Sequence, residues 1–145
     1  MIMNNNWYGV GNLTRDPELR YFESGTNVCN TGLAINNKWK DKAGVEQEST
    51  EFFDLSIWGK MGENVAESCS SGDRVMVAGV VKIRRVEDEH GKTRQFTEIN
   101  VTEMGPTLRW ATTDQSKNVR EDSKPAAPVH DTPAGANAGS REGEF

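Results

Sequence analysis

Five stretches whose apolar residues recur every second position, punctuated by Gly-, Asn- and Asp-rich turns, limit the folds open to this chain more than any other feature. Trp7–Leu13 is the first, and Leu19–Phe22 extends it beyond the turn Arg15-Asp16-Pro17-Glu18. After the turn Glu23-Ser24-Gly25-Thr26, Val28–Asn36 reads as a second strand with Leu33 and Ile35 on one face. Lys40-Asp41-Lys42-Ala43-Gly44 reads as a polar hairpin tip, Thr50–Trp58 as the third strand, Arg74–Val86 as the fourth and Thr93–Val101 as the fifth, the last two joined by Asp88-Glu89-His90-Gly91. One segment breaks the period. In Lys60–Ser71, Met61, Val65 and Cys69 recur every four residues and Gly72 stands where a C-terminal cap belongs, which predicts a helix.

The order is therefore strand, strand, strand, helix, strand, strand. This predicts an all-β domain with one helix. A five-stranded barrel with a helix between its third and fourth strands is the layout of the OB-fold. The composition changes near Trp110, where Asp, Ser, Lys, Pro, Ala and Gly take over, as in Lys124-Pro125-Ala126-Ala127-Pro128. Such a segment buries too little apolar surface to offset the entropy of ordering it. The reading is a barrel domain over residues 1–111 and a disordered tail over residues 112–145.

Charge and cysteine usage narrow the function classes. The net charge is −5; residues 1–111 hold 13 Lys and Arg against 16 Asp and Glu, a formal −3, and residues 112–145 hold 4 against 6, a formal −2. Any nucleic-acid site is thus a local basic track on an acidic body. Cys29 and Cys69 form no CxxC pattern and read as reduced, partly buried thiols. With only His90 and His130 to add to them, a zinc site is not expected, nor is any cofactor. No secretory h-region and no run of about 18 apolar residues is seen, so the expected location is cytoplasmic, with no membrane contact.

The third strand carries the functional signal. Side chains alternate faces along a strand. Phe53, Leu55 and Ile57 make an ordinary core face, while Phe52, Asp54, Ser56 and Trp58 make the other. Two large aromatics beside an Asp and a Ser fit a platform on which bases stack, each stack worth about 1–3 kcal/mol. The competing explanation is that the helix, a loop or a partner covers both rings. On the fourth strand, Val75, Val77, Val81 and Ile83 share one parity, Lys82 and Arg84 the other, with Arg85 adjacent and Arg94 across the hairpin. Cations two residues apart lie about 6.6–6.8 Å apart along a strand, which lets them track a phosphodiester backbone. A solvated hairpin edge is the plainer alternative. Phe96, on the parity of Arg94, Glu98 and Asn100, adds a third aromatic to a polar face. Trp39 lies between Lys38 and Lys40, but strict alternation gives it the parity of Leu33 and Ile35, so it reaches the outside only through a twist or bulge.

Several runs then resemble bacterial single-stranded DNA-binding proteins. Gly11-Asn12-Leu13-Thr14-Arg15-Asp16-Pro17-Glu18-Leu19-Arg20-Tyr21 is similar to that family's opening signature. Gly32-Leu33-Ala34-Ile35-Asn36 with Trp39-Lys40-Asp41, Trp58-Gly59-Lys60 with Glu63-Asn64-Val65-Ala66-Glu67, and the actinobacterial-like Gly105-Pro106-Thr107-Leu108-Arg109-Trp110-Ala111 follow in order. The resemblance implies an actinobacterial or phage source and sequence-independent coating of single-stranded DNA in replication, recombination and repair. It implies base stacking on Trp39, Phe52 and Trp58, a lysine near DNA at Lys60, and a basic hairpin at Lys82, Arg84, Arg85 and Arg94. It also implies a homotetramer paired through the first strand, and partner enzymes docked by the tail tip.

This chain departs from that pattern in three places. Val86 stands where a further stacking aromatic is usual, Gly9 interrupts a normally β-branched first strand, and the tip reads Arg141-Glu142-Gly143-Glu144-Phe145. Glu142, Glu144 and Phe145 keep two acids and the terminal Phe, which leads us to expect weakened or altered docking. Two other classes compete with a DNA-binding module. An OB-fold accessory factor would use the exposed aromatics as protein hot spots. An enzyme would need clustered carboxylates or a nucleophile with a base, and Asp54 is the only carboxylate on the aromatic face of the third strand. The reading is therefore a non-enzymatic DNA-binding protein.

Overall fold

The computed structural model describes residues 6–120. Its elements run β1 (Asn6–Leu13), β2 (Glu18–Tyr21), β3 (Asn27–Lys40), β4 (Glu46–Trp58), α1 (Gly59–Ser68), β5 (Arg74–Glu87) and β6 (Thr93–Pro106). The sheet order is β1-β5-β6-β4-β3-β2, and a further β1–β3 pairing at Asn12↔Ala34 and Leu13↔Leu33 closes β1, β5, β6, β4 and β3 into a five-stranded barrel. β2 is a short antiparallel flap on β3. The one parallel pairing joins β4 to β6 at Asp54↔Glu98, Leu55↔Ile99 and Ser56↔Asn100. This is the OB-fold layout, with α1 between β4 and β5.

The alternating residues fill the barrel as the two-residue period requires. Leu13, Cys29, Leu33, Leu55, Ile57, Val75, Val77, Ile99 and Val101 form the core, and Val65 and Cys69 bring α1 onto it. Burial pushes both thiols above their usual range, helped at Cys29 by Cys69 and at Cys69 by Asp73, so they stay protonated and inert. Gly9, a weak strand residue, has a packing role. A Cβ there would lie 2.2 Å from the Trp7 ring and 3.0 Å from Ile35. The indole folds across the space Gly9 leaves and meets Phe53 at a centroid distance of 5.0 Å.

Element boundaries differ from the sequence reading in informative ways. β3 and β4 stay paired without a register break from Val28↔Trp58 out to Lys40↔Glu46, so the hairpin tip begins after Lys40 and β4 begins four residues before Thr50. β6 continues past Val101 to Pro106, with a register shift opposite Ala78/Gly79 that leaves Thr102 as the extra residue. The helix ends at Ser68, not Ser71. Cys69 is its C-cap, the Cys69 amide donating to the Val65 carbonyl at 2.9 Å, while the Asp73 carboxylate takes up the Ser70 amide at 2.8 Å and holds a separate turn.

The first compact unit ends at Thr113. Residues 114–120 have no helix or strand. The rest of the predicted tail, with Glu142, Glu144 and Phe145, lies outside the described residues. Among the described residues no helix is long and apolar enough to cross a membrane, and no group of His, Cys, Asp and Glu is arranged to hold a metal.

Candidate nucleic-acid interface

The outer face of β4 is open because its neighbours are small. Phe52 faces Ala34 and Asp54 faces Gly32 across the β3–β4 ladder, so nothing bulky shields the Phe52 ring, which is 69% exposed. Trp58, at the end of the strand, is 47% exposed. Neither ring is sealed by the helix or a loop. Ser56 departs from the prediction: it is buried, and its hydroxyl donates to the Glu98 carboxylate with Asn30 Oδ1 3.2 Å away. Ser56 therefore ties β3, β4 and β6 together beneath the platform and is not part of its surface.

The β5–β6 hairpin continues the same face. Lys82 is in register with Glu98, Arg84 with Phe96 and Val86 with Arg94. Through the parallel β4–β6 pairing, Asp54, Glu98 and Lys82 form one row across three strands. Two residues along each strand, Phe52, Phe96 and Arg84 form the next. Arg85, opposite Gln95, has the other parity and shares the reverse side of the hairpin with Ile83. Ile83 keeps the core parity yet is 58% exposed, because this part of the hairpin has left the barrel.

Trp39 obeys the same geometry. The β3–β4 register passes through Trp39↔Gln47 without a bulge, so the ring keeps the parity of Leu33 and Ile35. It is exposed because the ribbon extends past the barrel, where no core remains to cover it. Lys38 and Lys40 point to the other side, opposite Glu48 and Glu46, a pairing invisible when the lysines are read along one strand. Asp41 stiffens the tip beyond Trp39: its carboxylate accepts from the amides of Val45 and Ala43, each at 2.9 Å, and from Gln47 Nε2 at 3.1 Å. These bonds, led by that from Val45, hold the Asp41 carboxyl below its usual range.

Two contributors escape a linear reading. Phe22 follows β2 and stacks on Trp58, with ring centroids 6.0 Å apart and planes 17° from parallel. Its sequence position is an unremarkable turn entry; the β2–β3 and β3–β4 registers alone bring it to the end of β4. Beside it, Lys60 pairs with Glu63 at 2.9 Å and the Tyr21 hydroxyl donates to Glu63 at 3.2 Å. Desolvation and then the Glu63 carboxylate push the Tyr21 phenol up, while the hydrogen bond from Lys60 holds Glu63 down. The second contributor is Arg15, which meets Asp54 at 3.3 Å beside Phe52. Phe22→Ala is expected to weaken single-stranded DNA binding by about 0.5–1.5 kcal/mol, the worth of an aromatic pair, as measured by anisotropy of a labelled oligo-dT. Unchanged affinity would leave Phe22 a bystander.

On a separate side of the barrel, Tyr8, Val10, Met76, Met104 and Pro106 line an apolar surface across β1, β5 and β6. Tyr8 is 75% and Met76 59% exposed there.

Comparison with known proteins agrees with this architecture. Residues 4–107 match the sequence profile of the single-strand binding protein family. A single-stranded DNA-binding protein of Paenarthrobacter aurescens is 38% identical over 125 residues, spanning 81% of this chain and 70% of the relative. One from Mycolicibacterium smegmatis is 42% identical over 113 residues, 77% of this chain and 68% of the relative. Among solved structures, the small single-stranded DNA-binding protein of Streptomyces coelicolor superposes with a TM-score of 0.64 at 25% identity, covering 74% of this chain and 97% of that one. A closed barrel with an aromatic outer face, matched over most of its length by this profile and these relatives, places the chain in the single-strand binding protein family.

Proposed function

We propose that this protein binds single-stranded DNA without reading its sequence and protects it during replication, recombination and repair. The observation that carries the reading is the row of open rings on one side of the barrel: Phe52 beside Ala34, Phe96 beside Arg84, and Trp58 at the strand end. Bases stack on these rings and on Trp39, while Lys38, Lys40, Lys60, Lys82, Arg84 and Arg94 approach phosphates and Arg85 does so from the reverse side of the hairpin. Several of these cations face carboxylates: Lys38 with Glu48, Lys40 with Glu46, Lys82 with Glu98 and Lys60 with Glu63. Stacking therefore supplies more of the affinity than long-range attraction does. The protein performs no covalent chemistry.

A tryptophan-fluorescence titration with oligo-dT at several salt concentrations tests this. DNA should quench Trp39 and Trp58, and the log–log salt dependence should be shallow, with a slope near −0.7 for each phosphate neutralised, which at two or three net contacts is roughly −2. Failure to bind oligo-dT in low salt would remove the function. Feeble DNA binding together with a stable protein complex would favour the accessory-factor alternative.

The apolar surface of Tyr8, Val10 and Met76 serves as the contact between subunits of a homotetramer. A segment carrying Glu142, Glu144 and Phe145 docks on replication and repair proteins. Action in the cytoplasm, on the nucleoid or on phage DNA, follows from the same reading.

A further inference from the structure

We propose that the cleft between Phe52 and Phe96 seats one nucleobase and that the Arg15–Asp54 pair in its wall reads the base edge, giving this protein a local preference for guanine. The inference rests on the DNA-binding reading above and adds to it a base bias within otherwise sequence-tolerant stacking.

The cleft opens where β4 and β6 part, two residues before the pairing Asp54↔Glu98. It is lined by Phe52, Phe53, Phe96, Thr97, Arg15 and Asp54 among others. A base stacked on the open Phe52 ring would turn its edge toward the ion pair at 3.3 Å. Both charged side chains are about half exposed, at 53% and 51%. Such a pair contributes little to stability and can change partners without cost to the fold.

The backbone holds Arg15 in place regardless. The buried Thr31 hydroxyl donates to the Arg15 carbonyl at 2.8 Å, the Thr14 amide donates to the Gly32 carbonyl at 2.9 Å, and Asp16 accepts from the Ser71 amide at 2.8 Å. Gly32 completes the arrangement. A Cβ there would stand 2.7 Å from the Arg15 guanidinium and 2.2 Å from the Thr14 hydroxyl, so the glycine leaves the space through which Arg15 lies across β3 toward Asp54, and a side chain there would push both groups aside.

The chemistry selects among bases. A carboxylate offers two acceptors side by side and a guanidinium offers paired donors. Guanine alone presents two adjacent donors, N1–H and the N2 amine, to the first, and the acceptors O6 and N7 to the second. Thymine has a single donor, N3–H; cytosine and adenine each have one exocyclic amine.

The test compares a short oligo-dT with the same oligomer carrying one central guanine, too little guanine for a quadruplex. The guanine oligomer should bind roughly fivefold tighter or more. Inosine, which lacks the N2 amine, and 7-deazaguanine, which lacks N7, should each reduce that ratio on the unaltered protein. Asp54→Ala should bring it close to one. Equal binding of both oligomers, or a preference that survives inosine and Asp54→Ala, overturns the proposal and leaves the DNA-binding function standing. If neither oligomer binds, the function itself falls.

Discussion

Replacing both Trp39 and Trp58 with Ala is expected to weaken oligo-dT binding by about 2–6 kcal/mol, the sum of two base stacks. That is a loss from about 30-fold to more than about ten thousandfold. The sum applies because the rings stand on different structures: Trp39 on the arm beyond the barrel, Trp58 where β4 runs into α1, with separate neighbours. The fold should survive, because neither ring belongs to the core. Trp58 gives up its contact with Phe22, worth about 1 kcal/mol. Anisotropy of a labelled oligomer reads the affinity, and thermal unfolding verifies the fold. Trp7, packed on Phe53, and Trp110, under Arg74 at 4.6 Å, remain as fluorophores. Their emission should be nearly insensitive to DNA in the double variant. Affinity unchanged in a folded double variant would remove both residues from the interface.

On the proposed subunit contact, introducing a charge as Met76→Glu should separate the copies. Val10 faces Met76 and Tyr8 faces Ala78 across the β1–β5 ladder, making a contiguous apolar surface flanked by Met104 and Pro106. Under the proposed function this surface is where two copies meet. A carboxylate at its centre is desolvated without a partner when two copies meet. Association should weaken by about 2 kcal/mol or more, roughly 30-fold, as for a hot-spot residue. The barrel itself should be unaffected, since Met76 is 59% exposed and has the parity opposite to Val75 and Val77. Native mass spectrometry across a dilution series would follow the change. An unaltered subunit number at low concentration would show that this surface is not the contact.

Much of the fold was legible because the two-residue period maps directly onto burial. Phe53, Leu55 and Ile57 alternate inward as their spacing predicts, and the four-residue recurrence of Val65 and Cys69 marks the helix face that meets the barrel. The outward direction of Phe52 and Trp58 was legible for the converse reason: both rings share the polar parity of Asp54, and both are exposed. Ser56 was misplaced because parity states a direction and not an exposure. The direction was right, but the crossing with β6 brings Glu98 over it. The hairpin lengths were underestimated because polar alternation on both faces, as in Glu46–Thr50, lacks the apolar signal by which strands are recognised.

Sequence by itself determined the barrel, the place of the helix and the presence of aromatic rings on the outer face, since each depends on periodicity along one segment. Only the tertiary structure decided which side chains meet. Register between strands set Lys38 and Lys40 against glutamates, brought Phe22 onto Trp58 and Arg15 onto Asp54, and left Trp39 bare on an arm with no core beneath it. The physical reason is that alternation fixes the side of a strand on which a residue lies, whereas its neighbours come from other strands, whose alignment no single segment encodes.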